Sequence, residues 1–425
     1  MKAFDRPESI GELSRAGQSR SIRRRVAGFC FVTLAAARLA AQDFLDRVDD
    51  ALTVTAFHDQ VRARLSGLID LEGYYFQQPA PGLIYASGNT LFNPRLTLFL
   101  DAQLGPKVYL FAQSRVDRGF DPSDGAAEAR ADEYALRLTP WEDGRFNLQV
   151  GKFGTVIGNW VPRHLSWENP FVTGPLPYEN RTTIYDSDVP SSAQDFAGRT
   201  SAAEYDYSPV IWGPSYATGA AVSGKLGRFD YAAEIKNTSL SSRPETWDAT
   251  EVGFDHPTVG GRVGFRPNQM WTLGVSASDG PYFRSDAALT FPPGSDIGDY
   301  HERVLGQDVA FAWHHLQFWA EFYEARFEVP FVGNADTFAY YLEAKYKFTP
   351  QFFGALRWNQ QFFAAVPDGQ GGRTRWGRDI GRADAALGYR FTAHTQFKLQ
   401  YSLQHEPSAS REFSHLAAAQ FTVRF

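Results

Sequence analysis

Beyond residue 60 this chain alternates apolar and polar residues, in runs of about ten, until its last residue. A period of two is the mark of a strand whose two faces meet different surroundings. Leu96, Leu98, Leu100, Ala102 and Leu104 share one face of such a run, and Arg95, Thr97, Asp101 and Gln103 share the other. The same arrangement recurs in Phe229–Lys236, Tyr340–Phe348 and Gln396–Gln404. The pattern predicts strands at 61–76, 94–104, 107–118, 129–140, 146–154, 216–226, 229–238, 257–266, 270–278, 302–314, 316–329, 336–348, 352–364, 379–391, 395–405 and 412–425. That makes sixteen. Leu52–Phe57 and 201–213 are further strand-like pieces, so eighteen is the second count.

The connections alternate as well. Short ones such as Gly105-Pro106, Gly227-Arg228, His315 and Thr349-Pro350-Gln351 are interleaved with mostly longer ones at 77–93, 119–128, 155–215, 239–256, 279–301, 330–335, 365–378 and 406–411. Short turns on one rim and longer loops on the other is the layout of a transmembrane antiparallel β-barrel. Hydrocarbon offers no hydrogen-bond partners, so a spanning chain must be helical or a closed barrel. The one long apolar run, Val26–Ala37, is too short for a spanning helix, which needs roughly 20 residues. A barrel of this strand count has a lumen wide enough for water, so its inner face can carry charge. Aromatic residers near strand ends, namely Tyr74, Tyr75, Phe76, Trp141, Phe146, Trp271, Trp313, Phe348, Phe352 and Phe391, fit girdles at the two membrane interfaces.

The first 41 residues differ from the rest. Arg23-Arg24-Arg25 precedes the apolar run, and Ala35–Ala37 and Ala40-Ala41 offer small residues for cleavage. This is a secretory signal pattern, with cleavage after Ala37 or Ala41. The only cysteine, Cys30, falls inside it, so the mature chain has neither a disulfide framework nor a thiolate metal site. Residues 42–60 would form a short periplasmic segment, with Phe44, Leu45, Val48 and Leu52 at near-helical spacing. The whole chain carries a net charge of -6. Residues 1–41 hold eight Lys or Arg against three Asp or Glu, which leaves -11 on the remainder. An acidic mature chain argues against nucleic acid as a partner.

The last strand ends Phe421-Thr422-Val423-Arg424-Phe425, with alternating aromatic or apolar residues and a terminal Phe. It resembles the C-terminal signal of outer-membrane barrels, and Phe421, Val423 and Phe425 are the residues that carry it. With the signal peptide and the turn–loop rhythm, residues 61–425 resemble a bacterial outer-membrane porin. Leu148–Gly154 running into a long loop is similar to the phosphate-selective porin O/P group. The resemblance implies export to the bacterial outer membrane, contact with outer-membrane lipid, delivery by the barrel assembly machinery and a homotrimer. It implies passive diffusion of small hydrophilic solutes or ions, phosphate-like anions among them.

The longest connection, 155–215, follows the fifth strand, and a long loop in a compact fold calls for a function. The porin resemblance implies that it folds into the lumen as a constriction carrying Trp160, Arg163, His164, Trp167 and Glu168. Alternation places Arg64, Arg95, Lys107, Arg115, Arg137, Lys225, Lys236, Arg262, Lys345, Arg357, Arg382 and Lys398 on the inner wall. Asp70, Asp101, Asp230, Glu234, Asp308, Glu321, Glu343 and Asp384 share that wall, so weak charge selectivity is expected.

Catalytic patterns are poor. Gly219–Lys225 approaches a phosphate-binding loop, but Leu226 stands where a magnesium ligand is needed. His314 and His315 are adjacent and would face opposite sides of a strand. Asp186, Asp188 and Asp195 are oxygen ligands in the long loop that a calcium ion could use. No cofactor, metal or catalytic residue is therefore expected, and the chain is read as a channel and not an enzyme. A structural or adhesive barrel with a plugged lumen, and a barrel enzyme, are the alternatives.

Overall fold

The computed structural model describes residues 42–58, 60–118, 126–199, 207–407 and 412–425. The expected signal segment 1–41, with Cys30, lies outside the described residues.

Sixteen strands form the wall. They are β1 (Val61–Phe76), β2 (Thr90–Leu104), β3 (Val108–Asp117), β4 (Glu128–Leu138), β5 (Asn147–Lys152), β6 (Thr218–Leu226), β7 (Phe229–Lys236) and β8 (Thr258–Phe265). They continue with β9 (Trp271–Pro281), β10 (His301–Trp313), β11 (Leu316–Val329), β12 (Gly333–Lys347), β13 (Phe352–Phe363), β14 (Ile380–Arg390), β15 (Thr395–His405) and β16 (Phe413–Arg424). Each pairs antiparallel with its sequence neighbour. β16 then pairs with β1, from Leu416 opposite Phe76 to Arg424 opposite Leu68, and the sheet closes. Closure gives every strand two hydrogen-bonded neighbours, which removes the edges an open sheet would expose. Among the described residues no helix is long and apolar enough to cross a membrane.

The two expectations for residues 42–57 both hold. A helix runs over 42–51, and Thr53–Ala56 then pairs with Val61–Arg64 of β1. This short strand adds no stave. It prolongs the column of β16, because Leu65 donates to the Leu52 carbonyl while Gly67 donates to that of Phe425. Sixteen is thus the count of wall strands, and the second count of eighteen does not hold. The described part of 201–213 forms no wall strand; Ser208 makes an isolated bridge to Ile184.

The barrel is polar inside and apolar outside, the reverse of a water-soluble core. On β15 the inward Lys398 is fully buried, while the outward Leu399 next to it is 49% exposed. Leu100, Leu104, Val263, Val275 and Leu387 are likewise exposed on the outer wall. Outward aromatics collect at the short-turn rim: Trp271 packs on Phe311 at 4.5 Å between ring centroids, Tyr346 on Phe348 at 5.2 Å, and Tyr389 on Phe391 at 5.0 Å. Tyr74 and Phe76 do not join a girdle. They share the inward parity of Asp70 and Glu72 and are buried with Ile84, Leu91 and Leu416 beneath the loops.

His314 and His315 form the turn between β10 and β11, His314 with a φ of 52°. A hairpin this tight needs positive φ, so the pair is a turn and not a ligand set.

The seam depends on one small residue. Gly67 and Phe425 exchange backbone hydrogen bonds of 2.9 and 3.1 Å. A Cβ on Gly67 would sit 2.5 Å from the Phe425 ring. Gly67→Val should therefore lower the yield of closed barrel, read as the fraction of heat-modifiable, fast-migrating protein after refolding into vesicles. Deletion of Phe425 should do the same by removing two of the seam's hydrogen bonds. Unchanged yields in both would show that closure does not rest on this contact.

Candidate functional site in the barrel lumen

The described residues of the connection between β5 and β6, 153–199 and 207–217, pack against the inner wall of the barrel and against the long-loop rim. The loop crosses to the far wall first. The backbone N–H groups of Asn159 and Trp160 donate to the Glu321 carboxylate on β11, and Tyr178 Oη donates to its other oxygen at 2.8 Å. Gly158, at φ +72°, lets the loop approach that wall; a Cβ there would lie 2.1 Å from Tyr323 Oη. Trp160 packs against Tyr178 with ring centroids 4.5 Å apart and planes tilted by 36°. Arg163 reaches Glu343 at 2.5 Å and the Tyr341 hydroxyl at 2.8 Å, with its guanidinium 4.3 Å from the centre of the Trp319 ring.

The loop then runs over β13–β15. Lys398 Nζ donates to the carbonyls of Ser166, Asn169 and Phe171 at 2.8, 3.0 and 2.9 Å. Arg357 donates to Thr173 at 3.2 Å and pairs with Asp384 at 2.8 Å. Arg382 pairs with Glu179 at 2.6 Å and donates to the Gly174 carbonyl at 2.6 Å. Trp167 is buried, with the Arg390 and Arg424 guanidinium groups over its ring at 4.9 and 4.2 Å. Glu168 beside it is exposed. Beyond Gly174 the loop climbs to the long-loop rim, where Asp186 pairs with Arg243 at 2.6 Å.

These contacts change the role of several wall cations. Arg357, Arg382 and Lys398 do face inward, but they are 2%, 4% and 0% exposed beneath the loop. They are closed off from the lumen and hold the loop. Burying an ion costs several kcal/mol unless it is paired and hydrogen-bonded, which the loop carbonyls and acidic neighbours accomplish. Lys107 is corrected in another way. It sits exposed in the turn between β2 and β3, outside the lumenal wall, because the strand starts one residue later than the alternation suggests. Lys225 is exposed at the short-turn end of β6, opposite Asp230. Arg262 is held between Asp230 and Asp308, each at 2.8 Å.

The wall from β2 to β6 is different, because much of it is uncovered. Near the long-loop rim Arg95, Arg115 and Arg130 lie on neighbouring strands. Arg95 pairs with Glu72 at 2.8 Å, Arg115 with Asp132 at 3.1 Å, and Arg130 with Asp132 at 3.0 Å. Arg130 escaped the sequence reading because of a β-bulge. The register slips between Gln113 and Ser114, which sets Gln113 opposite Glu133 but Arg115 opposite Arg130, so the inward parity of β4 changes there. Toward the short-turn rim this wall and the loop bound an open cavity of about 530 Å³, into which Arg137 projects. Phe99, Tyr109, Phe111, Gln113, Glu133 and Tyr216 also line it, and none had been singled out from the sequence. Alternation could have placed Phe99 and Phe111 on the inner face, but it gives no reason to expect rings there.

His164 bridges the loop to itself. Its Nδ1 faces the Val161 carbonyl, and Tyr216 Oη lies 2.6 Å from its Nε2. Donation from Nδ1 leaves Nε2 to accept from Tyr216, a pattern that needs the neutral ring. Burial, with Arg115 and Arg95 nearby and Asp132 opposing them, pushes its pKa down from 6.5 to about 4. Among the described residues no group of side chains could hold a metal ion. Of the calcium candidates, Asp186 is held by Arg243 and Asp195 accepts from the Ser191 backbone at 2.8 Å.

Two outcomes follow. Glu321→Ala leaves three donors of the loop without their acceptor, at about 1–3 kcal/mol for each one left unmatched. It should lower the denaturant midpoint of the folded barrel and open residues 153–217 to added protease. For His164 the unfolded ring takes up a proton below about 6.5 while the folded one resists until about 4. Stability should thus fall as pH drops through that window. His164→Gln, which keeps one donor and one acceptor, should flatten this dependence; an unchanged pH profile would remove His164 from the account.

No family model matches this chain, and no curated protein sequence does. Solved structures do resemble it. The in-vitro folded outer membrane protein OmpT of Vibrio cholerae superposes with a TM-score of 0.53 at 9% identity, over 86% of this chain and 98% of that one. An anion-selective porin from Comamonas acidovorans gives 0.55 at 10% identity, over 86% and 100%. OmpF of Salmonella typhi, solved with daunomycin, gives 0.51 at 11% identity, over 88% and 100%. Likeness at this identity is likeness of fold. The chain is a closed sixteen-stranded antiparallel barrel of the bacterial outer-membrane type, with short turns at one rim and longer loops at the other.

Proposed function

We propose that this chain is a porin, a water-filled channel for passive diffusion of small hydrophilic solutes, with no catalytic role. One observation carries the reading: the inward loop packs most closely on the β10–β15 side and leaves part of the β2–β6 wall facing open space. That space includes the cavity of about 530 Å³ and a second of about 460 Å³ at the periplasmic rim, lined by Thr53, Thr55, Arg62 and Gln103. Trp160, Arg163 and Trp167 then act as the body of the constriction, and Arg95, Arg115 and Arg137 face the pathway.

Phosphate-like anions are the narrower version of this reading. The arginine row supports it, and the carboxylates of Glu72, Asp117 and Asp132 within the same row offset it. Rings of one sign select ions by charge, and this wall holds both signs. We therefore expect weak selectivity. Delivery by the barrel assembly machinery fits the C-terminus: Phe421 and Val423 pair with the exposed Leu71 and Ile69, so they lie on the lipid-facing side with Phe425. A homotrimer is part of the same proposal.

A plugged structural or adhesive barrel is the second reading. What favours it is how tightly the loop seals Glu321, Glu343, Arg357 and Lys398. Recording from single molecules in planar bilayers separates the two. A channel gives stepwise conductance, with a small reversal potential in a salt gradient. Folded, heat-modifiable protein that leaves the bilayer silent would overturn the channel and leave the plug.

A further inference from the structure

An aqueous lumen is expected to be lined by polar side chains. Three inward residues on β2 and β3 break that rule. Phe99, Tyr109 and Phe111 face the cavity and are only half-buried. Tyr109 and Phe111 stack at 5.9 Å with an angle of 28° between their planes. Phe111 leans partly on Phe153, Ala135 and Ala221, whereas Phe99 and Tyr109 join no apolar cluster. Half-exposed rings in water have a hydration cost that packing within the fold does not remove here.

The charged groups between these rings are hydrogen-bonded but form no ion pair with one another. Arg137 donates twice to Gln149 Oε1, at 3.0 and 2.8 Å, and its guanidinium lies 5.7 Å from the centres of both the Tyr109 and Phe111 rings. It makes no ion pair among the described residues. Nor does Asp101, which accepts from the Tyr109 hydroxyl, or Glu133, which accepts from the Gly154 N–H at 2.8 Å. Elsewhere in this lumen, Arg95, Arg163, Arg262 and Arg357 are all clamped by carboxylates within 4 Å.

We propose that this cavity is a binding site for a neutral ring-shaped polyol, a mono- or disaccharide, on its way through the pore. The inference rests on the channel reading and adds its substrate class. Aromatic rings offer flat apolar faces to the C–H side of a sugar ring. Planar carboxylate, amide and guanidinium groups offer paired acceptors and donors to its hydroxyls. The volume lies within the range of small-molecule sites. Charge decides against the main competitor, an aromatic carboxylate. Such an anion would gain Arg137 but meet Asp101 and Glu133 as well, so the site as a whole repels it.

Two measurements test this on the refolded full-length barrel. Maltose and glucose, added to one side of a planar bilayer, should interrupt the single-channel current in a saturable way. Benzoate should not. Titration calorimetry of maltose into the barrel in detergent micelles reads the same site without needing current. Phe99→Ala and Tyr109→Ala should each weaken maltose binding by about three- to tenfold, the loss expected for one aromatic contact. Gln149→Ala should weaken it too. Stepwise conductance with no sugar block and no calorimetric binding would overturn this inference and leave the channel standing. Binding heat from a silent bilayer would overturn the channel and leave the site. Block by benzoate and not by sugars, or equal sugar binding in all the variants, would refute the assignment.

Discussion

Everything in this fold depends on where backbone hydrogen bonds can go in a medium that offers none. A strand inside hydrocarbon needs a partner on both sides, and only closure of the sheet supplies the last one. The seam between β1 and β16 is thus the contact that makes the other fifteen possible. Its lower end is completed by the segment just ahead of β1. Thr53–Ala56 takes over the pairing of β1 where β16 stops at Phe425, so the periplasmic end of β1 is not left open. Once the cylinder is closed, the dyad alternation of each strand sends leucines to lipid and charges to the lumen without further instruction.

The lumen then presents a problem opposite to that of a soluble core. Its wall is rich in ions, and a loop inserted there must bury them. The loop answers with its backbone. Lys398 receives three carbonyls, Glu321 receives two N–H groups and a hydroxyl, and Arg382 receives a carbonyl and Glu179. Such networks hold a loop in one position because removal of any member leaves a buried charge unmatched. A hydrophobic contact of equal area could slide; this one cannot without breaking several charge-assisted bonds together.

This explains what the sequence revealed and what it hid. Strand existence and boundaries were legible, with β11 and β15 found to the residue, because period-two patterning and turn residues are local signals. The inward loop was legible only by its length and by resemblance. The fate of individual charges was not. Alternation assigned Arg357 and Arg137 to the same wall, and nothing local distinguishes an arginine that will be sealed under Thr173 from one left facing water. That difference is set by a loop nearly two hundred residues away from Arg357. Arg130 was hidden for another reason: a single bulge in β4 reverses parity, and a bulge leaves no mark in an apolar–polar pattern. Tyr74 and Phe76 were misplaced because strand-end aromatics look alike whichever face they take.

The asymmetry of the lumen follows from the same division of charge. Loop and wall neutralise one another over β10–β15, so that half contributes little field to the pathway. On the β2–β6 half the arginines nearest the long-loop rim are matched by acids of their own wall, and the deeper Asp101, Glu133 and Arg137 have hydrogen bonds but no ion pair among the described residues. The field along the open side is therefore short-ranged and mixed in sign, and beyond roughly one Debye length, about 8 Å at physiological salt, it is largely screened. Discrimination in such a pathway has to come from contact, through ring faces and fixed hydrogen-bonding groups, more than from net charge. In the proposed channel, a loop tied down by ion pairs on one side and half-exposed aromatics on the other would favour recognition at touching distance.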